Sequence, residues 1–360
     1  MNLAAMKLRI VRASALAGIV CLVATGCERP SPEVIQRGYR GLAMGLVYNP
    51  RTLASKQAAN AVPVAPPLAD ADGPPATTVY KNIQVLTDLN VAQLTRLMLA
   101  MTAWVAPADQ SCAYCHSGAD MANDDNYRKV VARQMLRMVR TLNTEWKPHV
   151  GATGVTCYTC HRGNAVPAYV WYHDPGPANM FPNAGNRAGQ DQNVPARSVG
   201  LTALPNDPFS EFLDDKATNI RVVATSALPG DKGWIKQAED TYGLMIHMSE
   251  ALGVNCTFCH NSRSFTSWDS STPQRATAWY GIRMVRDVNV HYLEAVTATF
   301  PANRKGPLGD VAKVNCETCH QGVYKPLFGA GMLKDYPELA GPMHPGMAAA
   351  DAAAPAAAGK

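Results

Sequence analysis

The chain has 360 residues, of which 47% are hydrophobic and 17% are charged, enough for one large domain or two fused halves with a packed core. Its formal net charge is +5, but no basic run with interleaved aromatic residues occurs in it. The composition therefore argues against a nucleic-acid-binding protein.

Residues 1–26 have the pattern of a bacterial signal peptide. A basic start precedes the apolar stretch 15–24, which is short for a membrane span. Small residues then precede Cys27, as at a lipoprotein cleavage site, and cleavage there would remove Cys21 and leave Cys27 as a lipid-anchored N-terminus. The alternative is an ordinary secretory signal with a chance cysteine.

The segments on both sides of the central chain have compositions typical of a linker and of a disordered tail. The Pro-rich residues after Cys27 and the Ala/Pro/Asp-rich stretch 61–78 predict a lipid-anchored tether and linker over 27–80. The Ala/Pro-rich residues 336–360 predict a disordered tail.

Between these segments, apolar residues recur at helical spacing. The sequence predicts a mainly α fold with extensive irregular loops, including a long Gly/Asn/Pro-rich crossing at 162–208. One predicted helix begins near residue 90, and three others cover 127–146, 235–252 and 274–294.

Eight of the ten cysteines fall in four Cys-x-x-Cys-His motifs. Two cysteines at this spacing can form thioether bonds to both vinyl groups of one haem, and the following histidine is then placed against the iron. Zinc sites do not require a histidine after each cysteine pair, and disulfides do not explain the histidines. We therefore predict four c-type haems, attached through Cys112, Cys115 and His116; Cys157, Cys160 and His161; Cys256, Cys259 and His260; and Cys316, Cys319 and His320.

An internal repeat relates the two halves. The pattern Leu-Met-x-x-Met at 97–101 recurs at 244–248, and Arg-Met-Val-Arg-x-x-Asn at 137–143 recurs at 283–289. This predicts a duplicated two-haem unit, built from helix, loop and Cys-x-x-Cys-His. The first unit, with haems 1 and 2 and the crossing segment, covers 81–215, and the second, with haems 3 and 4, covers 216–335.

Each iron also needs a sixth ligand. A methionine thioether raises the reduction potential of a haem, whereas a second histidine generally lowers it. The helices before three motifs offer two methionines each: Met98 or Met101 for haem 1, Met135 or Met138 for haem 2, and Met245 or Met248 for haem 3.

Haem 4 differs from the other three. Aligning Met138 with Met284 puts Met135 opposite Gly281, so the fourth helix has lost one methionine. His149, between the second helix and the second motif, is the histidine that we favour for haem 4. The other histidines available are His291, which is the local rival, and the less well placed His173, His247 and His344.

The segments around these motifs carry a family resemblance. The chain resembles the tetrahaem cytochrome subunit of purple-bacterial photosynthetic reaction centres over most of its length after residue 26. Two features depart from the pattern of that family, namely one extra residue between Trp104 and Cys112 and the alanine-rich tail. The matching segments are 37–45 (RGYRGLAMG), 154–163 (GVTCYTCHRG), 255–261 (NCTFCHN), 271–276 (STPQRA) and 319–330 (CHQGVYKPLFGA).

In that family three haems have His/Met ligation and the fourth has two histidines, one of them from the haem 2 segment. The resemblance implies Met135 for haem 2, Met245 for haem 3 and His149 for haem 4. Counting from Trp104 places Met98 at haem 1, and the extra residue leaves Met101 open.

The resemblance also implies an electron-transfer protein rather than an enzyme. It would re-reduce the photo-oxidised bacteriochlorophyll special pair with electrons from a soluble periplasmic donor, a cytochrome c or a high-potential iron–sulfur protein. Haem 3 would lie nearest the special pair and haem 1 farthest from it. The protein would bind the reaction centre membrane subunits at the periplasmic face of the bacterial inner membrane through its lipid anchor.

Two surface features are weaker predictions. Asp120, Asp124 and Asp125 follow His116 and are either an acidic landing face for a basic donor or a solvated loop. Arg275 would face a haem propionate or the membrane subunits.

Two other functions remain open from the sequence. The first is a multihaem periplasmic reductase with one open haem, which is weakened because every haem has a nearby methionine or histidine. The second is a free periplasmic electron carrier.

Overall fold

The computed structural model describes residues 32–36, 45–175, 196–222 and 235–341. Cys21, Cys27 and His344 lie outside these ranges, as does most of the segment 37–45. The prediction of a mainly helical chain with long irregular loops is confirmed. The α-helices are α1 (Pro50–Ser55), α2 (Ala76–Val79), α3 (Val91–Val105), α4 (Tyr127–Glu145), α5 (Lys147–Val150), α6 (Cys157–His161), α7 (Phe209–Phe212), α8 (Ile235–Leu252), α9 (Pro273–Asp287) and α10 (Cys316–His320).

The described strands form one antiparallel pair near the N-terminus. Strand β1 (Glu33–Gln36) pairs with β2 (Gly45–Tyr48), with Val34 opposite Val47. The main chain of Gly45 accepts a hydrogen bond from the Thr257 hydroxyl at 2.7 Å, so this pair lies against the third Cys-x-x-Cys-His motif.

The long helices start where their sequences provide caps. Asn90 and Gln93 form a reciprocal capping box at α3, with bonds of 2.9 and 3.0 Å between side chain and backbone. Leu97 and Trp104 then lie on the buried face of this helix. α9 begins with Pro273 at its first turn, where the missing N–H has no cost. The first three long helices lie within one or two residues of their predictions. The last, α9, ends at Asp287 instead of 294, and a π-helical segment at Val288–Leu293 continues it.

Two hydrophobic clusters form the core, one against each pair of long helices. The first combines residues of α3 and α4, such as Leu97 and Val139, with Leu339 near the end of the described chain. The second combines Leu244 of α8 and Val285 of α9 with residues of α7 and its C-terminal end.

The order of elements repeats between the two halves. A long helix, a 3₁₀ turn at a Cys-x-x-Cys-His motif, a second long helix and a short α-helix at the next motif occur over 91–161 and again over 235–320. In each half the main chain after the second motif returns to the end of the first helix. Gly163 N–H donates to Trp104 at 2.9 Å, and Gly322 N–H donates to Ala251 at 2.8 Å.

The repeated asparagine has the same contacts in both halves. Asn143 exchanges two hydrogen bonds with the main chain of Val155, at 2.9 and 2.7 Å. Asn289 exchanges two with Val314, at 3.0 and 2.9 Å. Both valines stand two residues before a motif cysteine, so the asparagines fix the approach of the chain to the second and fourth motifs.

The repeated arginine and asparagine also hold a short buried segment. Arg140 donates to the Glu338 carbonyl and Asn143 to the Leu339 carbonyl. Their equivalents in α9, Arg286 and Asn289, donate to the Phe212 and Leu213 carbonyls. The end of each half therefore packs on the second long helix of the other half.

These contacts correct the predicted tail. Tyr336 is 2% exposed and Leu339 is 0% exposed, and Pro337–Ala340 forms a 3₁₀ turn. The prediction that disorder starts at residue 336 is wrong, because 336–340 belong to the folded core. The predicted linker also contains packed residues, since Asn60 is buried and donates to the Gln321 carbonyl and Ala76 lies in the first cluster.

Candidate haem sites

The four motif histidines share one hydrogen-bond pattern. In each, ring nitrogen Nδ1 lies within hydrogen-bond distance of a main-chain carbonyl. A carbonyl only accepts, so Nδ1 carries the proton and Nε2 keeps its lone pair free for a metal. The acceptors alternate between five and three residues after the histidine: Met121 for His116 at 3.1 Å, Asn164 for His161 at 2.8 Å, Phe265 for His260 at 3.0 Å and Val323 for His320 at 3.0 Å.

Burial keeps several of these rings neutral. It lowers the pKa of His161 and His260, and it lowers the pKa of His320 to about 4, with a smaller effect from the nearby His149 ring. Neutral imidazole is the form that binds metals. The rings are therefore prepared as ligands in both hydrogen bonding and charge.

A cavity of about 830 Å³ joins the first two motifs. This volume lies in the range of pockets that enclose a sizeable organic ligand. The predicted ligands for haems 1 and 2 meet in its wall: Cys112, Cys115, His116, Met98 and Met101 from one side, and Cys157, Cys160, His161, Met135 and Met138 from the other.

The packing separates the two methionines of α4. Met138 packs against both hydrophobic clusters, and its equivalent Met284 is buried in the second. Both methionines are half-buried and line the cavity, but Met135 packs on neither cluster. Since the position of Met138 is a core position in both halves, Met135 is the better placed for an iron.

At the first motif, the packing does not distinguish the two candidate methionines. Met98 and Met101 both line the cavity and both pack on the first cluster, so the alternative at haem 1 stays open. On α8, Met248 packs on the second cluster, and Met245 is half-buried. His260, in the third motif, stacks on Phe265 with ring centroids 5.5 Å apart.

The fourth motif brings two histidines together. The ring of His149, on α5, lies 6.0 Å from the ring of His320, centroid to centroid. A metal bound by both rings, with metal–nitrogen bonds of roughly 2 Å, requires about this spacing. Nδ1 of His149 donates to the Thr277 carbonyl at 2.9 Å, which leaves its Nε2 free as in the motif histidines. Burial lowers the pKa of His149 as well.

The rival histidines have other contacts. His291 pairs with Asp287 at 2.7 Å, and its side chain is 55% exposed. His173 lies 2.6 Å from Asp214. His247 is buried against Phe209.

The structure shows which groups surround Asp124 and Arg275, the residues of the two surface predictions. Asp124 pairs with Arg133 at 2.8 Å and with Lys129 at 3.2 Å, and the Arg133 hydrogen bond holds its pKa well below the usual value. An acidic landing face is therefore reduced by adjacent cations. Arg275 donates to the Ser267 carbonyl and the Ser271 hydroxyl and packs over Trp268, so it braces the loop after the third motif.

The sequence did not predict two contributions to these sites. The carbonyl acceptors are main-chain groups, which side-chain identity does not reveal. The roles of Asn143 and Asn289 were visible only as the last letter of the repeated Arg-Met-Val-Arg-x-x-Asn pattern.

Paired motif cysteines, histidines with a free Nε2 and a cavity lined by methionines define a c-type cytochrome. Comparison with known sequences identifies the family within this class of protein. The family described as photosynthetic reaction centre cytochrome C subunit matches residues 28–340. The chain belongs to this family.

Individual relatives agree with this assignment. The chain is similar to the photosynthetic reaction center cytochrome c subunit of Rubrivivax gelatinosus, at 55% identity over 91% of this chain and 90% of the relative. It is 50% identical to the subunit of the same name from Thermochromatium tepidum, over 89% of this chain and 78% of the relative. The Roseobacter denitrificans subunit of that name is 40% identical over 74% of this chain and 73% of the relative.

Proposed function

We propose that this chain is a tetrahaem electron-transfer subunit of the photosynthetic reaction centre. It takes electrons from a soluble periplasmic donor, a cytochrome c or a high-potential iron–sulfur protein. It delivers them to the photo-oxidised bacteriochlorophyll special pair. Membership of the reaction centre cytochrome family supports the electron-transfer role.

The His149–His320 pair is the observation that carries this proposal against a reductase. A reductase needs an iron with an open position for its substrate, and haem 4 is the site whose own helix lacks the second methionine. The ring of His149 stands opposite His320 at the spacing of two ligands of one metal. We infer that this site is closed, as electron transfer without substrate binding requires.

The complete ligand set rests on the family resemblance, with the packing of α4 and the His149–His320 pair as structural support. We assign His116 and Met98 to haem 1, His161 and Met135 to haem 2, His260 and Met245 to haem 3, and His320 and His149 to haem 4. Three His/Met pairs and one His/His pair would give staggered reduction potentials, because thioether ligation raises and imidazole ligation lowers the potential. The repeated order of elements, Asn143 and Asn289 support a duplicated two-haem unit as the origin of this set.

The location is also part of the proposal. No helix in the described ranges is long and apolar enough to span a bilayer. We propose a periplasmic position at the inner membrane, held by the reaction centre membrane subunits and by a lipid on Cys27. The lipid is testable by mass spectrometry of the mature N-terminal peptide.

Flash excitation of membranes containing this chain tests the function. Oxidation of its haems within the photochemical cycle, lost when the chain is deleted, is the expected result. Haem staining after denaturing electrophoresis must show covalent haem, and pyridine haemochrome analysis must give four per chain. Absence of stainable haem would overturn the proposal.

Two further measurements separate the alternatives. Carbon monoxide added to the reduced protein is expected not to bind, and stoichiometric binding at one haem would favour a reductase. Purification in mild detergent is expected to retain bacteriochlorophyll-containing subunits. Their consistent absence would favour a free electron carrier.

A further inference from the structure

Gly281 occupies an unfavourable position for a glycine. It lies inside α9 at regular helical geometry. A glycine in a helix interior costs about 1 kcal/mol relative to alanine because of its backbone entropy. The backbone conformation does not require it, so the reason for the glycine lies in what stands beside it.

The neighbour of Gly281 is the ring of His149. A Cβ atom at position 281 would lie 2.5 Å from Cε1, 2.8 Å from Nδ1 and 3.2 Å from Nε2 of this ring. The first two distances are far shorter than ordinary contacts between carbon and ring atoms. Only glycine leaves room for the imidazole at this place.

The ring cannot move aside easily. Its Nδ1 is bonded to the Thr277 carbonyl, one helical turn before Gly281. Trp146, just before α5, donates from Nε1 to Asp287 at 2.9 Å and so fixes α5 to the far end of α9. A methyl group at position 281 must therefore break the Thr277 bond or displace α5.

The repeat shows what occupies this position otherwise. Met138 and Met284 are equivalent core residues, so Met135 stands in α4 where Gly281 stands in α9. The same helix position thus presents a thioether to the cavity in the first half and an empty space in the second. An imidazole from the first half fills that space.

We propose that Gly281 is the positioning residue that selects imidazole over thioether at the fourth motif. It acts through His149, by admitting the ring from α5 to a centroid distance of 6.0 Å from the His320 ring. This rests on the proposed assignment of His149 to haem 4. Since a second imidazole lowers the potential of a haem relative to a thioether, the glycine would lower the potential of haem 4 relative to methionine ligation at the same site.

Gly281→Ala in the full haem-loaded chain is the first test. We expect one haem to lose its low-spin bis-imidazole signal in electron paramagnetic resonance and to shift upward in potential. The other three potentials shift by no more than the charge interaction between neighbouring haems, and added free imidazole restores the signal. Gly243→Ala is the matched control, because it also changes a helical glycine, with a nearest contact of 3.3 Å to Val199 and no histidine beside it.

A gain of ligand is the second test, and it does not depend on the alanine variant folding. His149→Ala combined with Gly281→Met is expected to give one haem a thioether-to-iron charge-transfer band and a higher potential, as Met135 does for haem 2. His149→Ala alone should give no increase in this band over the three methionine-ligated haems and should leave haem 4 without a closed site. Failure of the double variant to gain the band would count against Gly281 as the selecting residue.

The two proposals fail in different ways. If His149→Ala leaves all four haems unchanged, the assignment of His149 is wrong and the inference falls with it. If His149→Ala removes the bis-imidazole signal and Gly281→Ala does not, the ligand assignment stands and only the role of Gly281 is refuted.

Discussion

The sulfur atoms of Cys160 and Cys319 lie 2.8 Å apart. These are the second cysteines of the second and fourth motifs. The Arg162 guanidinium, two residues after Cys160, also links the two motifs by donating to the Cys319 carbonyl at 3.1 Å. Haems attached at the two motifs would therefore be neighbours, although the cysteines are 159 positions apart in sequence. Their charges should interact directly.

Met135→His tests this coupling. We expect the potential of haem 2 to fall, because imidazole replaces a thioether. Haem 2 then stays oxidised while haem 4 is being reduced, and its extra positive charge raises the potential of haem 4. At a separation on the order of 10 Å and an effective dielectric constant near 20, the effect is about 1–2 kcal/mol, or several tens of millivolts for one electron. Spectroelectrochemical titration measures both shifts.

The control for this prediction is Met138→Leu, a change of similar volume at the neighbouring core position. It should leave all four potentials unchanged. If Met138→His lowers the haem 2 potential and Met135→His does not, the ligand of haem 2 is Met138 and the assignment of Met135 is wrong.

The paired asparagines predict a second, matched effect. Asn143→Ala leaves the buried N–H and carbonyl of Val155 without the asparagine, whereas Asn289→Ala leaves only the N–H of Val314 without a partner, because Trp171 Nε1 still donates to the Val314 carbonyl at 2.9 Å. Each unsatisfied buried group costs about 1–3 kcal/mol, so we expect a loss of roughly 2–6 kcal/mol in the free energy of unfolding for Asn143→Ala and of about 1–3 kcal/mol for Asn289→Ala. Chemical denaturation of the haem-loaded protein measures this, with the exposed Asn303→Ala as the control.

Both variants should be less stable than the parent. Because the same asparagine serves the same geometry in both halves, a loss is expected from each, and it should be smaller for Asn289→Ala, whose Val314 carbonyl keeps the bond from Trp171. A large loss in one variant and none in the other would contradict the structural equivalence of Asn143 and Asn289.

The helices and the motif residues were predictable because their signals are local. Asn90 caps α3 through its own side chain, and each Cys-x-x-Cys-His motif specifies its haem chemistry within five residues. The prediction of His149 as a ligand depended on the repeat, because the alignment of Met135 with Gly281 indicated that the fourth helix lacks one methionine. What neither pattern predicted was the closeness of His149 to Gly281, which depends on how α5 packs on α9.

The error at the C-terminal end has a physical origin. Composition suggested that disorder begins at residue 336, but the Tyr336 ring packs against Trp104 of α3 and the Leu339 carbonyl accepts a hydrogen bond from Asn143 of α4. These tertiary contacts overrode a local compositional signal. Asp124, predicted to lie in either an acidic landing face or a solvated loop, is paired with Arg133 on the following helix.

Asp240 provides a prediction about pH. This carboxyl is buried on α8, and burial raises its pKa from the ordinary value of 3.8 to about 6. The folded protein therefore binds a proton more tightly than the unfolded chain, so this group lowers stability above about pH 6 and ceases to do so below about pH 4. Asp240→Asn should raise the free energy of unfolding by about 1–3 kcal/mol at pH 8. At pH 4 the variant and the parent should be nearly equal, and an identical difference at both pH values would argue against the raised pKa.

Truncation tests how much residues 336–340 contribute to stability. A chain ending at 335 loses the burial of Tyr336 and Leu339, at about 1.5–3 kcal/mol each. It also leaves Arg140 bonded to Asp88 and to Val85 but without the Glu338 carbonyl, inside the first cluster. We expect this chain to unfold at a clearly lower denaturant concentration, with weaker haem 2 ligation because Arg140 lies on the helix that carries Met135. A chain ending at 341 keeps all of these contacts and should match the full-length protein, and equal stability of the two truncations would show that 336–340 do not stabilise α4.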